Sequence, residues 1–156
     1  MIKYVNHDIV FQEYPDEVTL AINLSLCPNH CPGCHSAFLA ENLGDELTAE
    51  RLLALAGDYA AEITCVGFQG GDNDPMALSL LADALRTAFP AIKVGWYSGR
   101  QELPEGYPVH KFDYVKLGPW TAALGPLNSR TTNQRFYRVD RTSGVLTDIT
   151  SRFWKK

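Results

Sequence analysis

The chain has 156 residues, 46% of them hydrophobic and 21% charged, the balance of one globular domain spanning residues 1–156. Its formal net charge of −4, with Lys and Arg scattered rather than clustered, excludes a general DNA or RNA binder. No apolar run approaches the roughly 18 residues that cross a bilayer. The opening MIKYVNHDIVFQEY has neither the basic start nor the apolar core of an export signal, so the expectation is a cytoplasmic protein without a membrane partner.

Residues 8–26 alternate apolar and polar around Pro15-Asp16, which predicts two strands joined by a hairpin. A cysteine cluster follows the second strand directly. Thr48 is placed to cap a helix whose apolar positions Leu52, Leu55, Ala56 and Tyr59 recur at helical spacing. The run Ile63 to Phe68 predicts a buried strand that ends at Gly70-Gly71-Asp72. Asp74 and Pro75 open a second helix carrying Leu78, Leu81, Leu85 and Phe89 on one face, and Pro90 ends it. Two further strands are expected at Lys93 to Tyr97 and Val109 to Leu117, separated by the Gly- and Pro-containing segment SGRQELPEGYP. Beyond Gly118 the pattern weakens.

The repeated strand, loop, helix order predicts an α/β fold with a mainly parallel sheet whose chemistry sits at the carboxyl ends of the strands. A complete eight-fold barrel takes about 250 residues, so a curled version of this sheet is a partial, TIM-like barrel with an open side. An open side admits a substrate as large as another protein.

Three of the four cysteines, Cys27, Cys31 and Cys34, fall within eight residues, unlike the dispersed pairs of a secreted disulfide framework. With Pro28, Pro32 and Gly33 between them, the Cys-x3-Cys-x2-Cys spacing makes a tight loop that turns three thiolates toward one centre. Three thiolates on a 4Fe-4S cluster leave one iron open to a substrate. A structural zinc site of the Cys3His kind, with His30 or His35 as fourth ligand, is the competing reading. Cys65, within an apolar run, reads as a small buried core residue and not as a ligand.

The three-cysteine loop resembles that of the radical S-adenosylmethionine superfamily. CPGCH, with the later segment GPLNSRTTNQRFY, resembles the activating proteins of anaerobic ribonucleoside-triphosphate reductase, a likeness covering roughly residues 20 to 139. The resemblance implies a radical S-adenosylmethionine type of partial barrel, with Cys27, Cys31 and Cys34 as 4Fe-4S ligands and the fourth iron left for the amino and carboxylate groups of S-adenosylmethionine. It puts FQGGDND in the place of a Gly-Gly-Glu motif, so that Gly70 and Gly71 allow close backbone approach and Asp72, one methylene shorter than the usual Glu, accepts from the ammonium. An ordinary turn before a helix is the plainer reading of the same three residues.

In WYSGR, Ser98 is implied at the ribose or carboxylate, or else is an exposed turn serine. In FDYVKLG, Asp113 and Lys116 match positions near the cofactor; the alternative is a surface ion pair. Gly33 stands where the superfamily often has an aromatic residue, which leaves the backbone around Cys34 and His35 to carry more of adenine recognition. GPLNSRTTNQRFYRVD has no acid, base or nucleophile pair, so its chemistry reads as a surface loop. The likeness makes it a cofactor-side cover or a docking surface, with Arg130, Asn133, Gln134 and Arg135 as donors toward a partner backbone. Trp154 is either packed or an interface anchor.

The activity so implied is reductive cleavage of S-adenosylmethionine to methionine and a 5′-deoxyadenosyl radical, driven by an external one-electron donor such as a flavodoxin or ferredoxin. The implied target is a backbone glycine near the C-terminus of the large reductase subunit. No residue of the chain is then needed as acid, base or nucleophile, in keeping with the lack of a triad or carboxylate dyad. Rival readings are an activase for another glycyl-radical enzyme, a small radical enzyme acting on a small molecule, and a non-catalytic zinc-stabilised interaction module.

Overall fold

The computed structural model describes residues 1–25 and 43–154. Cys27, Cys31, Cys34, Gly33, His30 and His35 all lie outside the described residues.

The first two strands, β1 (Lys3–Val10) and β2 (Thr19–Leu24), pair antiparallel as the expected hairpin, with β1 starting five residues before the alternation becomes legible. A two-residue strand β3 (Asp45–Glu46) pairs with the outer edge of β1. Helix α1 (Ala49–Tyr59) begins where Thr48 accepts from the Arg51 amide at 3.1 Å, and α2 (Pro75–Ala88) begins where Asp74 accepts from Ala77 at 3.3 Å. Strands β4 (Cys65–Gln69), β5 (Lys93–Tyr97) and β6 (Tyr114–Leu117) run parallel to β2, in the order β2, β4, β5, β6. Two antiparallel strands then close the chain, β7 (Arg135–Val139) on β6 and β8 (Leu146–Asp148) on β7.

The result corrects the expected fold. The sheet among the described residues is open, eight-stranded and mixed, in the order β3-β1-β2-β4-β5-β6-β7-β8, and is not a TIM-like barrel. Only three of its seven pairings are parallel. Two α-helices stand among the described residues, whereas a curling parallel sheet needs a helical crossover at nearly every step. From β6 onward the chain returns antiparallel, which needs no such crossover. The expected strand from Val109 to Leu117 is also divided: Val109–Lys111 forms a 3-10 turn and only Tyr114–Leu117 joins the sheet.

Side chains alternate across the sheet and divide the core in two. Leu20, Ile22, Leu24, Val66, Phe68, Val94, Trp96, Val115 and Leu117 face one way and form one cluster with Leu52 and Ala56 of α1 and Leu78, Leu81, Ala82 and Leu85 of α2. The other face carries a smaller cluster of Tyr14, Cys65, Tyr114, Leu127 and Phe136, with Tyr97, Ile149 and Phe153 packed against it. Tyr14, from the β1–β2 hairpin, is fully buried there. A Cβ on Gly67 would come within 2.4 Å of its ring, and one on Gly95 within 2.1 Å. The two glycines are register partners on β4 and β5, and together they make the bed on which the ring lies.

Candidate functional site

The carboxyl ends of β2, β4, β5 and β6 lie along one rim of the sheet, because these four strands are parallel and adjacent. Ser25 follows β2, and its hydroxyl donates to the Leu43 carbonyl at 2.6 Å. The chain therefore leaves the rim at Ser25 and returns to it at Leu43, on either side of the cysteine-bearing stretch.

Gly70 and Gly71 follow β4 with φ of +114° and +94°, a region that L side chains rarely adopt. A Cβ on Gly70 would press on Leu24 at 3.3 Å, and one on Gly71 on Leu78 at 3.1 Å. These glycines are thus required by the turn itself and by its seat against the end of β2. The Trp96 indole donates to the Gly70 carbonyl at 2.6 Å and the Gly70 amide to the Tyr97 carbonyl at 3.0 Å, which fastens the turn to β5.

Asp72 is 3% exposed and is held from the next strand. Its Oδ1 accepts from the Ser98 hydroxyl at 2.6 Å and its Oδ2 from the Gly99 amide at 2.8 Å. Ser98 is fully buried, and its oxygen also accepts from the Arg100 amide at 3.0 Å. It is not an exposed turn serine. The Lys116 ammonium, buried on β6, donates to the carbonyls of Ser98 at 2.8 Å and Gly118 at 3.1 Å, and lies 5.6 Å from the centre of the Tyr97 ring. A single chain of charge-assisted bonds therefore runs from the β4 turn through Asp72 and Ser98 to Lys116 and the β6 turn. Hydrogen bonds of this kind contribute about 1.5–3 kcal/mol each.

Of the expected site residues that the structure describes, Gly70, Gly71, Asp72, Ser98 and Lys116 meet at this rim. Asp113 does not. It precedes β6, at the amino end of the parallel strands, where it accepts from the Val94 amide at 2.8 Å and pairs with Arg141 at 3.2 Å. The two do not form a surface ion pair with each other, since Lys116 is buried at the far end of β6 and Asp113 is paired with Arg141. Burial holds the Asp113 carboxyl above the usual carboxylate range.

Arg100, in the same WYSGR segment as Ser98, is the residue the sequence reading passed over. Its Nη2 donates to the Asp72 carbonyl at 3.2 Å, while its Nε is buried without a hydrogen-bond partner among the described residues, 3.8 Å from Asp72 Oδ1. The visible signal was an Arg directly after a strand-ending Ser-Gly.

The segment leading into β7 borders the rim as well, since Leu117 and Arg135 are register partners and a Cβ on Gly118 would come within 2.9 Å of Gln134 Cα. It is not a surface loop: Leu127, Thr132, Gln134 and Phe136 are buried. Three of its four expected donors are engaged within the chain. Asn133 donates to the Pro119 carbonyl at 3.1 Å, Arg135 lies 4.0 Å from Asp148, and Arg130 lies over the Trp154 ring. Trp154 is packed, its indole donating to the Leu127 carbonyl at 3.1 Å.

Below the rim, on the face away from the helices, Tyr14 donates to Gln69 at 3.2 Å and Tyr97 donates to the Glu13 carbonyl. Burial raises both hydroxyls well above the usual tyrosine range, so they stay protonated donors, and this aromatic layer forms a floor. Burial likewise pushes the Cys65 thiol up, as suits a core residue. A cleft of about 430 Å³ opens at the opposite, amino ends of the strands, lined in part by Glu17, Lys93, Tyr114, Arg138 and Arg152. Its carboxylates are taken internally: Glu17 receives Lys93 at 2.9 Å and Tyr114 at 2.7 Å, and Asp16 pairs with Arg152. Strand direction, not cavity volume, therefore locates the candidate site at the carboxyl rim.

No family model, curated protein or solved structure matches this chain. No group of three or more His, Cys, Asp or Glu side chains that could hold a metal occurs among the described residues. No helix among them is long and apolar enough to cross a membrane. Function must therefore be argued from the rim and from the cysteine spacing.

Proposed function

We propose that this chain is a cytoplasmic activating enzyme that binds a 4Fe-4S cluster through Cys27, Cys31 and Cys34, cleaves S-adenosylmethionine reductively, and generates a glycyl radical on the large subunit of anaerobic ribonucleoside-triphosphate reductase. One observation carries the reading. The anchors of the cysteine-bearing stretch, Ser25 and Leu43, stand on the same rim as the Gly70-Gly71-Asp72 turn and the Ser98–Lys116 group, with Gly70 seated on Leu24. Two tight-turn glycines and a set of fixed charges on one rim, beside both anchors of a stretch whose sequence holds three cysteines, suit a cluster and a zwitterionic cofactor side by side.

A cluster held by Cys27, Cys31 and Cys34 would supply the one-electron reduction needed for cleavage of the sulfonium bond of S-adenosylmethionine. The chain's own residues do the positioning. Gly70 and Gly71 let the turn seat closely against Leu24 and Leu78, Asp72 and Lys116 hold the rim rigid, and the aromatic floor of Tyr14 and Tyr97 keeps water from entering beneath it. The sheet among the described residues is open and not a closed barrel, which suits a substrate as large as a segment of another protein. An external one-electron donor such as a flavodoxin or ferredoxin is the implied reductant.

Anaerobic reconstitution tests the reading at its base. Wild-type protein should be brown, with about four irons and four sulfides per chain. Replacing any one of Cys27, Cys31 and Cys34 by Ala should abolish assembly, while Cys65→Ala keeps it. Colourless protein holding about one zinc would replace the activase with a zinc-stabilised module.

A further inference from the structure

We propose that Arg100 receives the carboxylate of S-adenosylmethionine; the inference rests on the cofactor reading above. It starts from which charges at the rim are already taken. Both carboxylate oxygens of Asp72 accept from the β5 turn, one from Ser98 and one from Gly99, so the acid expected to meet the cofactor's ammonium is engaged inside the protein. The Lys116 ammonium is likewise spent on two backbone carbonyls.

Arg100 pairs with Asp72 through its inner edge, Nε lying 3.8 Å from Oδ1, but the outer end of its side chain is not engaged in that way. A guanidinium has five N–H donors in a fixed fork and no acceptor. Among the described residues only Nη2 finds a hydrogen-bond partner, a backbone carbonyl, and the buried Nε finds none. A buried, unsatisfied donor costs free energy that an incoming acceptor restores. The side chain is 38% exposed, so the rest of the fork is open to a ligand. The acceptor best matched to an Arg fork is a carboxylate or phosphate. Arg100 stands three residues past β5, one turn across from Gly70 and Gly71, and S-adenosylmethionine carries one carboxylate and no phosphate. The Arg100 backbone is fixed from both sides, its amide donating to Ser98 Oγ at 3.0 Å and its carbonyl accepting from Gly118 at 2.7 Å. The fork is thereby presented from a rigid turn.

The test measures equilibrium binding of S-adenosylmethionine, and of its decarboxylated analogue, to anaerobically reconstituted full-length protein. Arg100→Gln and Arg100→Lys are compared with wild type, and iron content and the thermal midpoint are followed in each. For S-adenosylmethionine we expect Arg100→Gln to raise Kd about ten- to hundredfold at unchanged iron content, and Arg100→Lys, which keeps the charge but not the fork, to fall between. Neither variant should change the Kd of any binding seen for the decarboxylated analogue. Unchanged affinity for S-adenosylmethionine in Arg100→Gln, or an equal loss for both ligands, overturns the assignment while leaving the cofactor reading intact. Wild-type protein that holds its cluster yet binds no S-adenosylmethionine overturns both.

Discussion

Gly67 and Gly95 lie side by side beneath the Tyr14 ring, and each is closed to any side chain by that ring. Gly95→Ala should therefore destabilise the protein by about 1–3 kcal/mol, the range for overpacking a filled core, and Tyr14→Leu in the same chain should recover part of that loss. Urea denaturation of the three proteins checks it; an Ala variant as stable as wild type would contradict the packing. Asp72→Asn should cost about 1–3 kcal/mol in the metal-free protein, because a buried carboxylate that accepts from Ser98 and Gly99 loses its charge. An unchanged urea midpoint would return Asp72 to the role of a simple cofactor contact. Cys65 should resist iodoacetamide at pH 8 until the chain unfolds, since burial suppresses its thiolate; prompt alkylation of the native Cys27→Ala/Cys31→Ala/Cys34→Ala protein would show an open core. At this scale much was legible. The Gly-Gly-Asp turn, Ser98 and Lys116 stood out as residue types that need a reason, and Cys65 as one that does not. The partners were hidden, because Asp72 and Ser98 are twenty-six residues apart and only the parallel pairing of β4 with β5 brings them together.

Elements with strong local signals were read correctly, and those made by tertiary contact were not. The caps at Thr48 and Asp74, the helical spacing behind them and the strand Lys93–Tyr97 follow from short-range chemistry. Strand β7 is the short run Arg135–Val139 within a polar stretch, too short to outweigh its surroundings, and it is a strand because β6 offers it an edge. Phe136 is fully buried and packs on Tyr14, Tyr97, Tyr114 and Phe153. Phe136→Ala should therefore cost about 3–5 kcal/mol by urea denaturation. A loss under about 1 kcal/mol, the range of surface substitutions, would return this segment to the surface loop that its composition suggests. The same contrast explains the divided strand at Val109–Leu117, where Pro108 and a 3-10 turn bring Val109 and Phe112 into the helix-side core before pairing begins.

For the whole molecule, a four-strand parallel centre is flanked by antiparallel strands on both sides, giving an open sheet with its fixed charges on one rim and an aromatic floor beneath. The α/β order and the carboxyl-end rule were enough to locate that rim from sequence, whereas the partial TIM-like barrel expected from strand order, length and resemblance is not what the strands form. The rim is proposed to serve radical transfer to a protein glycine. The most direct test of that role places deuterium on the C-terminal glycine of the large subunit of an anaerobic ribonucleoside-triphosphate reductase, then adds the reduced, reconstituted enzyme and S-adenosylmethionine. A glycyl radical signal on the partner and deuterium in 5′-deoxyadenosine are the expected result. Deuterium retained in the partner while a small metabolite is consumed would contradict it.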